Sequence, residues 1–254
     1  MRLAGRVIAI TGGAGNIGAA TARRLAREGG IVALLDRDPE AAERIRSQLT
    51  SDAGSAASGH LALGCDVTDP AAVRAALQQV HDRCGPIHML FANAGIEGPL
   101  VPIADYGDTE FRQVIAIGVE GVFYTLKYGA PLMADGGSIV ITSSLFGERG
   151  SPTNIGYTAA KHAVRGMMKS AAKAYAPRGI RVNAILPGIV DSDMVRRILA
   201  ARGGTMTLEE MTANVPLREP VIPDRIADTV FYLTSDDSLV VTGQSIAIDA
   251  GWLL

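Results

Sequence analysis

The sequence predicts an α/β protein built on a doubly wound sheet of about seven mostly parallel strands, with helices on both faces. Three observations carry that expectation. Short β-branched apolar runs bounded by Gly, Asp or Pro recur along all 254 residues, the pattern of strands buried on both faces. Amphipathic stretches of helical length separate them, so consecutive strands need crossovers and pair in parallel. Hydrophobic residues make up 48% and charged residues 20% of the chain, enough apolar surface for a large core and too little polarity for disorder.

The strands are expected at Val7–Ile10, Ile31–Leu35, Leu61–Cys65, Met89–Ala92, Ile139–Thr142, Val182–Leu186 and Ser245–Ile248. The helices between them are expected at Ala19–Glu28, Pro39–Leu49, Ala71–Arg83, Thr109–Met133, Tyr157–Ala176 and Pro223–Leu233. No Pro- or Ser-rich linker divides the series, which reads as a single domain over residues 1–254. Asp52–Gly59 is small and polar and is expected to form an exposed loop. Val190–Pro220 carries charges, two glycines and little strand character, and is expected as a partly helical substrate lid near residues 190–220.

A net charge of −2 gives no electrostatic footprint for nucleic acid or an anionic membrane. Cys65 and Cys84 are too few for a disulfide framework, and neither stands in a metal-ligand spacing with the four histidines, so no metal is expected. The first residues run into a strand rather than a signal-peptide core, and no apolar run approaches the ~20 residues that span a bilayer. A reduced, cytoplasmic setting is the expectation.

In a doubly wound sheet, ligands bind at the carboxyl ends of the strands, near the switch in strand order. The first strand is followed by Thr11-Gly12-Gly13-Ala14-Gly15-Asn16-Ile17-Gly18 and then a helical pattern. Glycines permit a tight turn and close approach of backbone to a pyrophosphate, whose charge faces the helix amino-terminus. Asp36 ends the second strand, eighteen residues after Gly18, where a carboxylate can accept hydrogen bonds from ribose hydroxyls. That carboxylate would repel the 2′-phosphate of NADP, so NAD is the expected cofactor, with the neighbouring Arg37 softening the preference.

Over nearly its whole length the sequence resembles the short-chain dehydrogenase/reductase family, a Rossmann-fold family. The resemblance rests on six blocks in order: Thr11-Gly12 to Gly18, Asp66-Val67, Asn93-Ala94-Gly95, Ser144 with Tyr157 and Lys161, Pro187-Gly188-Ile189 with Ser192, and the closing Val241-Thr242-Gly243 and Asp249-Ala250-Gly251. It implies that Gly12, Gly15, Asn16, Ile17, Gly18, Asp36, Arg37, Asp66, Val67, Asn93, Ala94, Gly95, Pro187, Gly188, Ile189 and Ser192 bind the cofactor, Asp66 at the adenine. It also implies that Tyr157 and Lys161 contact the cofactor, with Lys161 holding the nicotinamide ribose, and that the chain assembles as a homotetramer through the helices Thr109–Met133 and Tyr157–Ala176.

The chemistry follows from the residues. Tyr157 and Lys161 stand at i and i+4 and share a helix face. A phenol ionises near pH ~10, and a nearby ammonium is expected to lower that value so the phenolate serves as general base. Ser144 would hydrogen-bond the substrate oxygen. The expected reaction is hydride transfer between NAD(H) and a secondary alcohol or ketone. A 3-oxoacyl or steroid-type ketoreductase and a weakly catalytic NAD-binding sensor stand as alternatives. Ser143, His162, Met167 and Met168 are assigned no chemistry.

Two positions depart from the family pattern. Asn16 replaces a loop glycine, with an expected tolerance of left-handed backbone. Gly118, in Ile117-Gly118-Val119-Glu120-Gly121, stands where the family carries a catalytic Asn. Its presence in a helical stretch is expected to break the helix. The substrate pocket should draw on residues 96–100, Leu145–Thr153 and Val190–Pro220. Glu97, Glu148 and Arg149 would add polarity, and Trp252-Leu253-Leu254 forms an apolar tail.

Overall fold

The computed structural model describes residues 1–53, 59–201, 203 and 206–254. Seven strands form one sheet in which every pair is parallel: β1 (Val7–Thr11), β2 (Ile31–Asp36), β3 (Leu61–Gly64), β4 (Ile87–Ala92), β5 (Met133–Thr142), β6 (Arg181–Pro187) and β7 (Ser245–Ile248). Their spatial order is β3-β2-β1-β4-β5-β6-β7, so the chain reverses its winding between β1 and β4. That crevice is where a doubly wound sheet binds its ligand.

The alternation of side chains along the strands sorts the core into two layers. Val7 and Ala9 of β1 face the layer of α3 (Pro70–Cys84), α5 (Gly121–Gly129) and α6 (Ile155–Tyr175), while Ile8 and Ile10 face that of α1 (Asn16–Arg27), α2 (Pro39–Ala53) and α9 (Pro223–Thr234). Phe91, Leu90 and Met89 at the sheet centre are fully buried, the burial that makes these strands read as continuous apolar runs.

Three expectations need correction. The helix expected over Thr109–Met133 is broken into α4 (Asp108–Ile115), a π turn over Ala116–Glu120, α5, and a 3-10 turn over Ala130–Leu132. Gly118 and Gly121 lower the local preference for α-helix, and Pro131 has no N–H with which to continue it. β5 then begins at Met133 rather than Ile139, with a register break opposite Ile87 and Met89. The Ala134-Asp135-Gly136-Gly137 insertion, with Gly136 at φ +76°, hides the strand's first half from any apolar pattern. The stretch Asp52–Gly59 starts inside α2, and residues 54–58 lie outside the described residues. Between β6 and α9 lie α7 (Asp193–Ala201) and α8 (Leu208–Thr212). Among the described residues no helix is long and apolar enough to cross a membrane, and no three His, Cys, Asp or Glu side chains group to hold a metal.

Candidate active site

The groove at the sheet switch begins with the loop between β1 and α1. Gly12 turns at φ +64°, and a Cβ there would stand 2.9 Å from Ala94 Cα. The loop therefore packs backbone against backbone on the Asn93-Ala94-Gly95 turn after β4. At Gly18 a Cβ would stand 2.2 Å from the Gly12 carbonyl oxygen, so this glycine serves the packing of α1 on its own loop and lines no described cavity. No side chain caps the amino-terminus of α1 and no acidic residue lies in its first turn. These first-turn amides, beside Gly15, Asn16 and Ile17 in the groove wall, form an anion site of the kind a pyrophosphate needs.

Asn16 departs from expectation. It is the first residue of α1 and takes no left-handed conformation. Its side-chain oxygen instead accepts the Asp193 N–H at 3.0 Å, joining the loop to the first turn of α7. A pair 177 residues apart in sequence leaves no local signal.

One arm of the groove, about 450 Å3, is lined by Gly12, Asp36, Arg37, Asp66, Val67, Ala94 and Gly95 among others. Asp36 accepts the Ala14 N–H at 2.9 Å and the Asp38 N–H at 3.1 Å, which fixes its carboxylate at the edge of the loop. Asp66 accepts both the Thr68 N–H (2.9 Å) and hydroxyl (2.8 Å), bonds that hold its carboxyl below the usual range. The other arm, about 280 Å3, is lined by Gly15, Asn16, Ile17, Asn93, Ser144, Tyr157, Lys161, Pro187, Gly188 and Ser192. The groove thus has the size, free amides and acidic far end that fit a dinucleotide. Ser192 also donates to the Val190 carbonyl and accepts from Val195 N–H, capping α7.

Asn93 ties the two halves together. Its amide donates to the Gly12 carbonyl at 3.1 Å, and its side-chain oxygen accepts the Thr142 hydroxyl at 3.0 Å. The Thr142 carbonyl in turn accepts Lys161 Nζ at 2.8 Å. Thr142 was not among the residues singled out from sequence, because a Thr ending a strand carries no signal of its own. Ser143 donates to the Lys161 carbonyl at 2.8 Å and holds α6 against the end of β5.

The pKa relation expected between Tyr157 and Lys161 is not what the structure gives. Lys161 Nζ lies 5.4 Å from the centre of the Tyr157 ring and spends its hydrogen bond on Thr142. Burial pushes the Lys161 ammonium down to about 8. Burial also pushes the Tyr157 phenol above its ordinary value; its hydrogen bond with Ser144 works the other way, and the charge of Glu97 adds to the rise. Removal of water from both groups sets the direction of both displacements.

Beyond Ser144 and Tyr157 the groove opens into a mainly apolar cavity of about 140 Å3. Leu100, Leu145, Phe146, Ile189, Met194, Val195, Ile198, Met211 and Trp252 line it, with Glu97 as the one carboxylate among the described lining residues. Phe146 meets both Tyr157 and Trp252 edge-on, at centroid distances of 6.4 and 6.1 Å. Trp252 thus closes the cavity rather than lying loose, and only Leu254 of the tail is almost wholly exposed. Of the other polar candidates, Glu148 pairs with Arg165 outside the cavity. Arg149 donates to the Leu253 carbonyl at 2.9 Å and lies 5.3 Å over the Trp252 ring, propping that wall from behind. His162 is exposed and bonded to the Thr158 carbonyl of its own helix.

Gly118 lies buried in the π turn, and a Cβ there would stand 3.1 Å from Ala160 Cβ on α6. α6 carries Tyr157 and Lys161, so the missing side chain lets the π turn approach the helix that holds them.

A family model described as enoyl-(acyl carrier protein) reductase matches residues 12–253. The chain belongs to the short-chain dehydrogenase/reductase family of oxidoreductases. It is 33% identical to cyclohexanol dehydrogenase of Acinetobacter sp. (strain SE19), over 97% of this chain and 94% of that protein. It is 37% identical to cis-4-hydroxycyclohexanecarboxylate dehydrogenase of Sinomonas cyclohexanicum, over 97% and 96%. Among solved structures, levodione reductase superposes with a TM-score of 0.94 at 35% identity, covering 98% of both chains. NAD+-bound xylitol dehydrogenase gives 0.92 at 33% identity, covering 99% of this chain and 100% of that one.

Proposed function

We propose that the protein is an NAD(H)-dependent oxidoreductase that interconverts a small cyclic secondary alcohol and its ketone. The observation that carries this reading is the meeting of Ser144, Tyr157 and Lys161 where the groove opens into an apolar cavity of about 140 Å3. A cavity of about 150 Å3 takes a benzene ring, so this one suits a single six-membered ring. A steroid nucleus or a carrier-bound acyl arm needs more room. The names of the relatives, cyclohexanol dehydrogenase and levodione reductase among them, support the same substrate class.

The cofactor would lie with its pyrophosphate on the first turn of α1, at Gly15, Asn16 and Ile17. Its adenosine would lie toward Asp36, Arg37, Asp66 and Val67, and its nicotinamide ribose at Lys161 and Asn93. When bound, it supplies the hydride acceptor for oxidation and the donor for reduction. Ser144, buried at the end of β5, holds the substrate oxygen by a hydrogen bond and aims it at Tyr157. Tyr157 takes the alcohol proton in oxidation and returns it in reduction. Lys161 at about 8 is mostly an ammonium at neutral pH. One N–H is engaged with Thr142, and the remaining two can hold ribose hydroxyls. Met194, Val195 and Ile198 of α7 cover the ring and exclude water, the part of a substrate lid.

Asp36 at the tip of β2 supports NAD over NADP by like-charge repulsion. Phe123, exposed on α5 beside the stacked pair Tyr124 and Tyr128, supports a homotetramer. The free thiols Cys65 and Cys84 fit a reducing, cytoplasmic compartment. The test is NAD reduction across cyclic alcohols, polyols, hydroxy acids and acyclic alcohols. Cyclohexanol-type substrates should give the highest kcat/KM. Preference for polyols or 3-hydroxyacyl thioesters would reject the substrate class.

A further inference from the structure

Two walls of the substrate cavity, the loop after β4 and α7, are joined by an ion pair. Glu97, in the loop after β4, accepts Arg197 Nε at 2.8 Å and Nη2 at 3.1 Å. Arg197 belongs to α7, and it borders both arms of the cofactor groove. Glu97 lines the substrate cavity with Tyr157 and keeps only 15% side-chain exposure, against 60% for Arg197. A two-pronged guanidinium–carboxylate pair of this geometry is directional and resists sliding. The first residue of α7 is tied as well, through Asp193 N–H to Asn16. The helix is therefore held across the groove at two points, its first residue to the phosphate loop and its midpoint to the β4 loop.

We propose, on the reading of Tyr157 as the acid/base group, that Arg197 and Glu97 are positioning residues. Their pair clasps α7 over the bound cofactor and substrate and counters the carboxylate that, alone among the described lining residues, shares the cavity with Tyr157. A surface ion pair would need no such account. This one puts an otherwise unfavourable negative charge into an apolar substrate cavity, where an unpaired carboxylate disfavours the phenolate. The charge of Glu97 acts on Tyr157 in that direction even with the pair formed, and the guanidinium 2.8 Å from the carboxylate opposes it. With the clasp closed the effect of the carboxylate is reduced; with α7 swung away that reduction is lost. Proton abstraction is thus favoured in the closed state.

The other groups around Tyr157 leave this role to the pair. Lys161 on the same helix is engaged with Thr142, and Ser144 contributes a neutral hydroxyl. Asp193 on α7 pairs with Arg196. On the side of α4, Tyr106 packs on Gly156 and Glu110 lies beside that tyrosine. From the carboxyl terminus, Arg149 reaches only the outer face of Trp252.

The experiment compares wild type, Arg197→Met, Glu97→Gln and the double variant. The kcat/KM of cyclohexanol oxidation is read against pH at saturating NAD, and NADH dissociation by stopped-flow fluorescence. Arg197→Met should move the acid limb of the pH profile up by about half a pH unit, and Glu97→Gln should move it down by a similar amount. The double variant should return close to wild type in pH dependence. All three should release NADH at least threefold faster, since each lacks the clasp. A pair that only braces the fold would move both single variants the same way or not at all, and that result overturns the proposal. Unchanged NADH release overturns it too, whatever the substrate proves to be. Tyr157→Phe is measured alongside. If it stays active, the assignment of Tyr157 has failed, and the clasp is then judged on NADH release alone.

Discussion

Replacing Lys161 by Met should stabilise the cofactor-free protein at neutral pH while abolishing its activity. Lys161 is 4% exposed, and burial takes its ammonium from an ordinary 10.5 down to about 8. Each pH unit of such displacement is worth about 1.4 kcal/mol, so keeping the group charged at pH 7 costs about 3 kcal/mol. Met fills nearly the same volume without the charge, but it cannot donate to the Thr142 carbonyl. Losing that bond costs about 1–2 kcal/mol at any pH. The net gain at pH 7 is then about 1–2 kcal/mol, or about 4 °C in Tm for a chain of this length. The sign reverses with pH. Because the folded-state pKa is below the unfolded one, the folded protein holds fewer protons between pH 8 and 10.5, and wild-type stability rises across that window. Above it the desolvation cost has gone and only the lost hydrogen bond remains, so the Met variant becomes the less stable protein. Thermal denaturation of both proteins without cofactor, at several pH values from 7 to 10.5, reads this directly. A Met variant that is less stable at pH 7, or a difference that does not change with pH, refutes the burial argument.

Tyr157→Phe should remove nearly all turnover yet bind NADH as wild type does in a fluorescence titration, because only the proton acceptor is deleted. NAD should bind about thirtyfold more tightly than NADP, equivalent to about 2 kcal/mol of repulsion at Asp36; Asp36→Ala should narrow that ratio, as paired titrations at fixed ionic strength would detect. Oxidation should accelerate and ketone reduction slow as pH rises, since the raised phenol must be ionised for one direction and protonated for the other. Gly118→Asn should cost several degrees of Tm, because its Cβ would crowd Ala160. Its turnover should change less than tenfold, or about 1.4 kcal/mol.

Local features of the sequence carried well into three dimensions. Strand positions inside the sheet were legible because burial on both faces leaves an uninterrupted apolar run, as in Ile31–Leu35 and Met89–Ala92. Gly12 and Gly18 were legible because backbone packing against Ala94 and Gly12 admits no side chain at either position. What stayed hidden depends on partners far apart in the chain. Glu97 and Arg197 are separated by 100 residues, and Asn16 and Asp193 by 177. No period or spacing marks such pairs. The same holds for the Asn93–Thr142–Lys161 relay, where the decisive groups are a hydroxyl and a backbone carbonyl. Spacing put Tyr157 and Lys161 on one helix face, but not the water their burial removes, so the direction of the tyrosine's displacement was misjudged. The first half of β5 was missed because Gly136 and Gly137 sit where a strand pattern would run.

The most direct test of the account is the steady-state formation of NADH from NAD and cyclohexanol by the wild-type protein, with Tyr157→Phe as its control. Active-site chemistry centred on Ser144 and Tyr157, with a ring-sized cavity beside it, predicts saturable turnover by wild type and a loss of at least a hundredfold in the variant. Equal rates in the two proteins, or no oxidation of any cyclic alcohol although NAD binds, would contradict it.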